Sequence, residues 1–308
     1  MRLLLSALLM TTLSLQAQQA PFQVPLWPGP PPVCPRTGET DIYHDDNLGT
    51  LIRDVRQPLI EVYLAPRPNP NAASVLICPG GGYYLLAWDW EGVEMARWYN
   101  EMGITAFVLR YRTPHFEQDS CRSRVALADA QQALRLVRSR ATEWRIDPHR
   151  VAVMGFSAGG HLASTLGTQY DSGQPTATDP VARQSCRPDA LILMYPVISS
   201  EPGVAHAGSF ENLLGKTPSP AQLTRFSNDR QVTPDTPPTL LIHAADDDLV
   251  PAENSIRFYQ ALLRHHVPAT MYLYPDGGHG FSFARHKTGP VTRWPQDCMA
   301  WLEWIGWK

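Results

Sequence analysis

Five consecutive residues constrain the fold of this chain more than any others: Gly155-Phe156-Ser157-Ala158-Gly159. The apolar run Val151 to Met154 precedes them and reads as a buried strand, and Gly160 to Leu166 follow as a helix. A serine with glycines two places to either side, set between a strand and a helix, predicts a sharp turn. Small neighbours permit the strained backbone angles that such a turn imposes. The hydroxyl is then held out at the edge of a sheet. The Ala158 N–H sits at a helix start, where it lacks an intrahelical partner and can face a developing anion. G-x-S-x-G in this context reads as a catalytic serine. The rival reading is a turn that serves only the fold.

Strand-like runs recur on both sides of that turn. Leu59 to Leu64 alternates and predicts an antiparallel strand near a sheet edge. Ser74 to Cys78, Ile104 to Leu109, Ala190 to Met194 and Thr239 to His243 are short continuous apolar runs, as expected of strands covered on both faces. Ala269 to Tyr274 is a last strand. Helices are predicted over 92–102, 122–141, 252–266 and 295–307; Leu127, Ala130, Leu134 and Val137 share one face of the second. Strands alternating with helices, without an internal repeat, predict an α/β fold with a mostly parallel central sheet and helices on both faces. Two irregular inserts stand out, 170–187 and 198–235, the second suited to a small cap.

The formal net charge of −3 offers no electrostatic reason to expect nucleic acid or an anionic membrane as partner. Residues 1–19 read as a secretory signal: Arg2, then an apolar run from Leu3 to Leu15, with Ala17 near a cleavage point. That run is too short for a membrane span, so the mature chain is expected to be exported without stable membrane insertion. Residues 20–50 are proline-rich and predict an extended N-terminal arm; residues 51–308 form the catalytic domain. The cysteine count of 5 is odd for an exported chain. Cys78 and Cys298 fall in predicted core elements, Cys34, Cys121 and Cys186 in polar loops, and Cys121–Cys186 is one possible bridge. No Cys/His spacing resembles a zinc site.

A serine nucleophile needs a base, and the base an orienting acid. His279 lies in Asp276-Gly277-Gly278-His279-Gly280-Phe281, just past the last strand, where glycines on both sides allow close approach to the serine. His243 inside a strand and His161 at a helix start read as structural, and His265 and His266 as surface residues. For the acid, Asp246, Asp247 and Asp248 stand together after the strand that ends at His243, and their spacing leaves the choice open. Gly80-Gly81-Gly82 follows a core strand and can bring backbone N–H groups close to a substrate. A phosphate-binding loop is the rival reading, weakened by the missing Lys and Ser/Thr.

The triple-glycine loop, the serine turn, the Asp run followed by Val250-Pro251, and Gly277-Gly278-His279-Gly280-Phe281 resemble the α/β-hydrolase esterases. More narrowly, they resemble exported bacterial acetyl xylan esterase-like carbohydrate esterases, over roughly residues 55 to 305. The resemblance implies an α/β-hydrolase fold, no cofactor and no metal. It implies a Ser157–His279–Asp247 triad, Asp247 standing four residues after His243 and four before Pro251, with Asp246 second. It implies an oxyanion hole from Gly81, Gly82 and Ala158. The expected substrate is an acetylated polysaccharide or oligosaccharide, met outside the cell or in the periplasm. One departure is Pro79, where lipase-type relatives carry the histidine of HGGG.

Directly after the glycines come Tyr83, Trp88, Trp90 and Glu91. Indole faces can stack on sugar rings, carboxylates can accept from sugar hydroxyls, and Tyr83 or Tyr84 can narrow the acyl pocket. The alternative is that the tryptophans pack this loop onto the next helix. Other functions weighed are a general short-chain carboxylesterase, a prolyl-oligopeptidase-type peptidase, for whose propeller the chain has no room, and a non-catalytic carbohydrate-binding module.

Overall fold

The computed structural model describes residues 19–307. The signal-like segment lies outside the described residues except for Gln19. Five strands whose residues are buried throughout form the middle of the main sheet: β5 (Ser74–Cys78), β7 (Thr105–Arg110), β8 (Val151–Phe156), β9 (Ala190–Met194) and β10 (Thr239–Ala244). Burial of both strand faces explains why they read as unbroken apolar runs. β11 (Ala269–Tyr274) pairs parallel with β10 and closes one side, half-buried as an edge strand. On the other side, β4 (Leu59–Tyr63) runs antiparallel to β7, and β1 (Phe22–Pro25) antiparallel to β4. The spatial order is β1-β4-β7-β5-β8-β9-β10-β11.

The chain passes from β5 outward to β7 and then back across to β8. The order of strands therefore reverses around β5 and β8, and the crevice beyond their carboxyl ends is where open α/β sheets hold ligands. The glycine loop and Ser157 lie at those two ends.

Helices cover the sheet, most of them near their predicted places: α1 (Glu94–Glu101), α2 (Asp119–Ser139), α3 (Ala141–Trp144), α4 (Ser157–Thr168), α5 (Ala207–Leu214), α6 (Pro220–Phe226), α7 (Glu253–Arg264) and α8 (Trp294–Trp304). One turn of π-helix, Asp89–Val93, leads into α1. α2 packs against α4, and α1 meets α8 where the Trp98 and Trp294 rings lie 5.5 Å apart. α5 and α6 belong to the second irregular insert and supply its helical pieces. Ser219 starts α6 with a reciprocal capping box to Gln222.

Within residues 20–50, read from sequence as an extended arm, two segments are strands and a third begins. β1 covers the edge of the main sheet. β2 (Asp41–Asp45) and β3 (Gly49–Arg53) make a hairpin that joins β6 (Leu85–Ala87), the strand directly after the glycine loop, in a separate three-stranded sheet. Between β1 and β2 the chain is pinned to α2. Trp27 Nε1 donates to Asp129 Oδ1 at 3.2 Å, and Asp129 accepts two bonds from the buried Arg112 guanidinium, at 2.9 and 2.8 Å. Cys34 is bonded to Cys121, at the start of α2. The Cys121–Cys186 bridge considered from sequence is thus replaced by a bond that spans the arm. Cys186 is a buried thiol beside Asp171 and Arg135, and Cys78 and Cys298 are buried thiols as expected. Among the described residues, no helix is long and apolar enough to cross a membrane.

Candidate active site

Ser157 stands where β8 ends and α4 begins, with φ at +50°, in the left-handed region that side chains rarely adopt. The flanking glycines are required by contact. A Cβ on Gly155 would lie 2.2 Å from the Gly159 carbonyl oxygen, and one on Gly159 would lie 2.2 Å from that of Cys78. The turn is therefore packed against the end of β5, which brings the glycine loop to the serine.

His279 Nε2 lies 2.9 Å from Ser157 Oγ, and His279 Nδ1 lies 2.7 Å from Asp247 Oδ2. Of the three consecutive aspartates, Asp247 alone turns inward. Its other oxygen accepts from the N–H groups of Leu249 and Val250, at 3.1 and 2.8 Å, and Oδ2 also meets His243 Nε2 at 3.2 Å. Burial by itself would raise this carboxyl. Bonds from His243 and His279, the charge of His279 and the Val250 N–H outweigh it and hold Asp247 well below the usual range. Asp246 acts on the backbone instead. Its Oδ1 accepts from Gly278 N–H at 2.8 Å and ties down the histidine loop.

His243 and His161 are both buried and hydrogen-bonded, in keeping with structural roles. His243 Nδ1 meets Ser255 Oγ at 2.7 Å. His161 is bracketed by Tyr83 Oη and the Phe226 carbonyl, both at 2.8 Å, and burial pushes it down to about 4.

The glycine loop is held by its carbonyls. Gly80 C=O accepts from Ala87 N–H at 3.0 Å, and Gly81 C=O accepts from Tyr84 and Leu85 N–H, both at 3.0 Å. Since a trans peptide sets C=O and N–H opposite one another, those bonds aim the N–H groups of Gly81 and Gly82 the other way. Neither donates to an acceptor among the described residues. Gly81 has φ +126°, and a Cβ there would stand 2.2 Å from the Leu85 carbonyl oxygen. Asn212 of α5 closes the arrangement: Nδ2 donates to Gly82 C=O at 2.8 Å while His115 Nδ1 meets Oδ1 at 2.7 Å. Sequence reasoning does not single out Asn212 as a site residue; its partner is 130 positions away.

The four residues after the loop separate. Tyr83, Trp88 and Glu91 are buried. Trp88 joins the hydrophobic core, the packing role set against sugar stacking. Glu91 faces inward to Gly80 and Tyr195. Burial removes both from any surface that a polysaccharide reaches. Tyr83 turns its ring to His161 and packs against Val197, Phe210 and Leu213, with no room for a water molecule between them. Trp90 remains half-exposed, in a cleft of about 400 Å³ between the β2–β3 turn and the segment after His279. Asp89 and Glu94 also face that cleft, with Phe281, Phe283 and Arg285 opposite. Among the described residues, no group of three His, Cys, Asp or Glu side chains is arranged to hold a metal ion.

His206 is a further residue that sequence reasoning missed. It caps α5 through Ser209, and burial, followed by the charge of His279, lowers it below the usual imidazole value.

Residues 60–262 match the family described as BD-FAE. An acetylxylan esterase of Xylanibacter ruminicola is 37% identical over 219 residues, covering 70% of this chain and 42% of its own. An endo-1,4-beta-xylanase B of Butyrivibrio fibrisolvens is 36% identical over 213 residues, covering 69% of this chain and 33% of its own. The chain thus spans well under half the length of either relative. The crystal structure of an acetyl ester-xyloside bifunctional hydrolase from Caldicellulosiruptor lactoaceticus superposes with a TM-score of 0.79 at 38% identity, covering 93% of this chain and 97% of that one. With the fold, the serine turn and these similarities in hand, the chain belongs to the BD-FAE family of α/β-hydrolase esterases.

Proposed function

We propose that this chain is an exported serine esterase that removes acetyl, or another small acyl group, from xylan-type polysaccharide or its oligomers. The observation that carries the reading is the hydrogen-bonded row Ser157–His279–Asp247 beside unengaged N–H groups of Gly81 and Gly82. Ser157 Oγ attacks the ester carbonyl as its proton passes to His279 Nε2. Asp247 holds the ring in the tautomer that leaves Nε2 free to accept and stabilises the charged form. Gly81, Gly82 and the Ala158 N–H at the start of α4 bind the oxyanion. Each such donor is worth on the order of 10²–10³ in turnover. The sugar alkoxide leaves with the proton from His279, and water repeats the sequence on the acyl-enzyme, releasing the acid.

An acetyl group is supported by what the acetylxylan esterase relative and the acetyl ester-xyloside hydrolase are named for, and a xylan-type alcohol by the names of both relatives and of that structure. The glycosyl part is assigned to the cleft at Trp90. Secretion or a periplasmic location rests on the pattern of residues 1–19. A general short-chain carboxylesterase is the second reading, since the serine, the base and the glycine loop act on the ester carbonyl whatever alcohol is attached.

Acetate release from acetylated xylan, measured beside p-nitrophenyl acetate, butyrate and octanoate, tests the proposal. Release from xylan together with preference for acetate is expected. Preference for octanoate with no acetate from xylan leaves the general carboxylesterase, and full activity in Ser157→Ala removes the mechanism.

A further inference from the structure

One buried titratable group has no part in the mechanism above. Glu91 is 3% exposed, and both of its carboxyl oxygens accept hydrogen bonds. Oε2 takes the Gly80 N–H at 2.8 Å and Oε1 takes the Tyr195 O–H at 2.8 Å. Tyr195 Oη in turn accepts from Ser282 N–H at 3.2 Å, so its own proton points to Glu91. Gly80 begins the loop whose next two N–H groups face the oxyanion. Ser282 lies three residues beyond His279, and the Tyr195 and His279 rings are 5.1 Å apart. One carboxyl therefore links the oxyanion loop to the loop that carries the base.

The hydrogen bonds also select a charge state. Donors stand at both oxygens, so a carboxyl proton would meet a donor instead of an acceptor. Burial raises Glu91 above its ordinary value, and the bonds from Tyr195 and Gly80 and the charge of His279 offset only part of that rise. Among the described residues no Lys or Arg pairs with it. As a carboxylate it is a buried anion, and the cation nearest to it is the imidazolium formed when His279 takes the serine proton. A buried charge without a fixed counter-ion is costly in the resting state. An interaction that strengthens as the transition state forms lowers the barrier.

We propose that Glu91 is a positioning residue for the reaction: as a carboxylate it holds Gly80, so that Gly81 and Gly82 stay aimed at the oxyanion, and it favours the protonated His279 formed in each acyl transfer. This rests on the esterase reading. Other groups facing His279 are Asp247 from the β10 loop, with His243 behind it, His206 from the cap, and Tyr195; Asp246 and Lys287 lie near Gly278 on its own loop. All of them remain in place when Glu91 alone is changed.

Glu91→Gln keeps the shape and removes the charge. With p-nitrophenyl acetate, kcat should fall about tenfold or more while KM stays within roughly twofold. The acid limb of kcat/KM should move to lower pH by about half a unit, because losing the anion disfavours protonated His279 and the neutral base persists further into acid. Tyr195→Phe keeps the charge but cuts the tie to Ser282; kcat should fall several-fold with no downward movement of the acid limb. Wild-type kcat in Glu91→Gln would overturn the inference. So would a fall in kcat with the acid limb in place, which is what packing alone would produce. Should the Gln variant not fold, Tyr195→Phe carries the test of the tie: a lowered kcat with KM and melting temperature unchanged supports it, and wild-type kcat, or a kcat lowered only together with the melting temperature, overturns it. Ser157→Ala, run in parallel, separates the two readings. Retained activity there defeats the esterase itself, whereas an inactive Ser157→Ala beside a wild-type-like Glu91→Gln defeats only the role of Glu91.

Discussion

The floor of the site and its rim are built by different means. The floor is the carboxyl ends of β5, β8 and β10 with the loops that leave them, and much of its shape is demanded by its own residues. Ser157 needs its left-handed backbone, Gly155 and Gly159 need their missing side chains, and Asp247 folds its loop by accepting the N–H groups two and three residues on. The rim is the β2–β3 hairpin, the cap helix α5 and the Trp90 cleft. Here shape comes from partners far along the chain. Asn212 reaches Gly82 across 130 positions, and Cys34 is bonded to Cys121 across 87. A floor of this kind tolerates few changes, because each residue meets both a local backbone demand and a chemical one. A rim held by separate long ties can be loosened one tie at a time.

Substitutions ordered by effect on turnover put that contrast to the test. Asp247→Asn belongs to the floor and should cost about 10³–10⁴ in kcat toward p-nitrophenyl acetate. It also carries a pH signature. Asp247 is depressed from its ordinary 3.8, so its contribution to stability is present above that value and is lost as pH falls through the lower folded value. Thermal melts at pH 7 and pH 3 should therefore show the wild type's advantage over the Asn variant reduced, though not abolished, at pH 3. An advantage that grows in acid would mean that the carboxyl is not the bonded group described.

Gly81→Ala places a Cβ against the Leu85 carbonyl, and displacing one or both oxyanion donors should lower kcat by about 10²–10³. Asn212→Ala removes only an outside tie to the same loop, and about a tenfold loss in kcat is expected, less than one whole donor is worth. Equal losses in the two variants would erase the distinction between floor and rim. Trp90→Ala should act on selectivity: the ratio of kcat/KM for an acetylated xylo-oligosaccharide to that for p-nitrophenyl acetate should drop about fivefold or more, on the scale of one stacking contact. An unchanged ratio would remove the sugar from that cleft. Cys34→Ser with Cys121→Ser should leave kcat as it is while lowering stability by about 2–4 kcal/mol in denaturant titration. If turnover fell as well, the arm would be part of the site's geometry and not only a strap.

Legibility followed the same division. The serine turn, the glycine loop and His279 were visible because each is a glycine-marked interruption after an apolar strand. Choosing Asp247 over Asp246 needed more than spacing. Both aspartates bind the histidine loop, one through the imidazole and one through Gly278 N–H, and only their burial tells them apart. β1, β2, β3 and β6 escaped notice because they are only three to five residues long, and β1 and β6 pair with strands distant in sequence. Neighbouring residues at the mouth of α1 met opposite fates. Trp88 went to the core, Trp90 to the cleft and Glu91 to the back of the oxyanion loop, since successive residues of a helical turn point in different directions.

What the sequence determined by itself is the scaffold and the residue types of the site: apolar runs that must be buried, glycines that backbone contact requires, and a serine, an aspartate run and a histidine in chain order. Those are local demands, written residue by residue. The tertiary structure alone decided which aspartate faces the imidazole, that Cys34 and not Cys186 joins Cys121, that Asn212 and Glu91 bond to the glycine loop, and that Trp90 is the indole left half-exposed in a cleft. Each depends on which distant groups the packed sheet brings within hydrogen-bond reach, a property of the three-dimensional arrangement that no local stretch of chain contains.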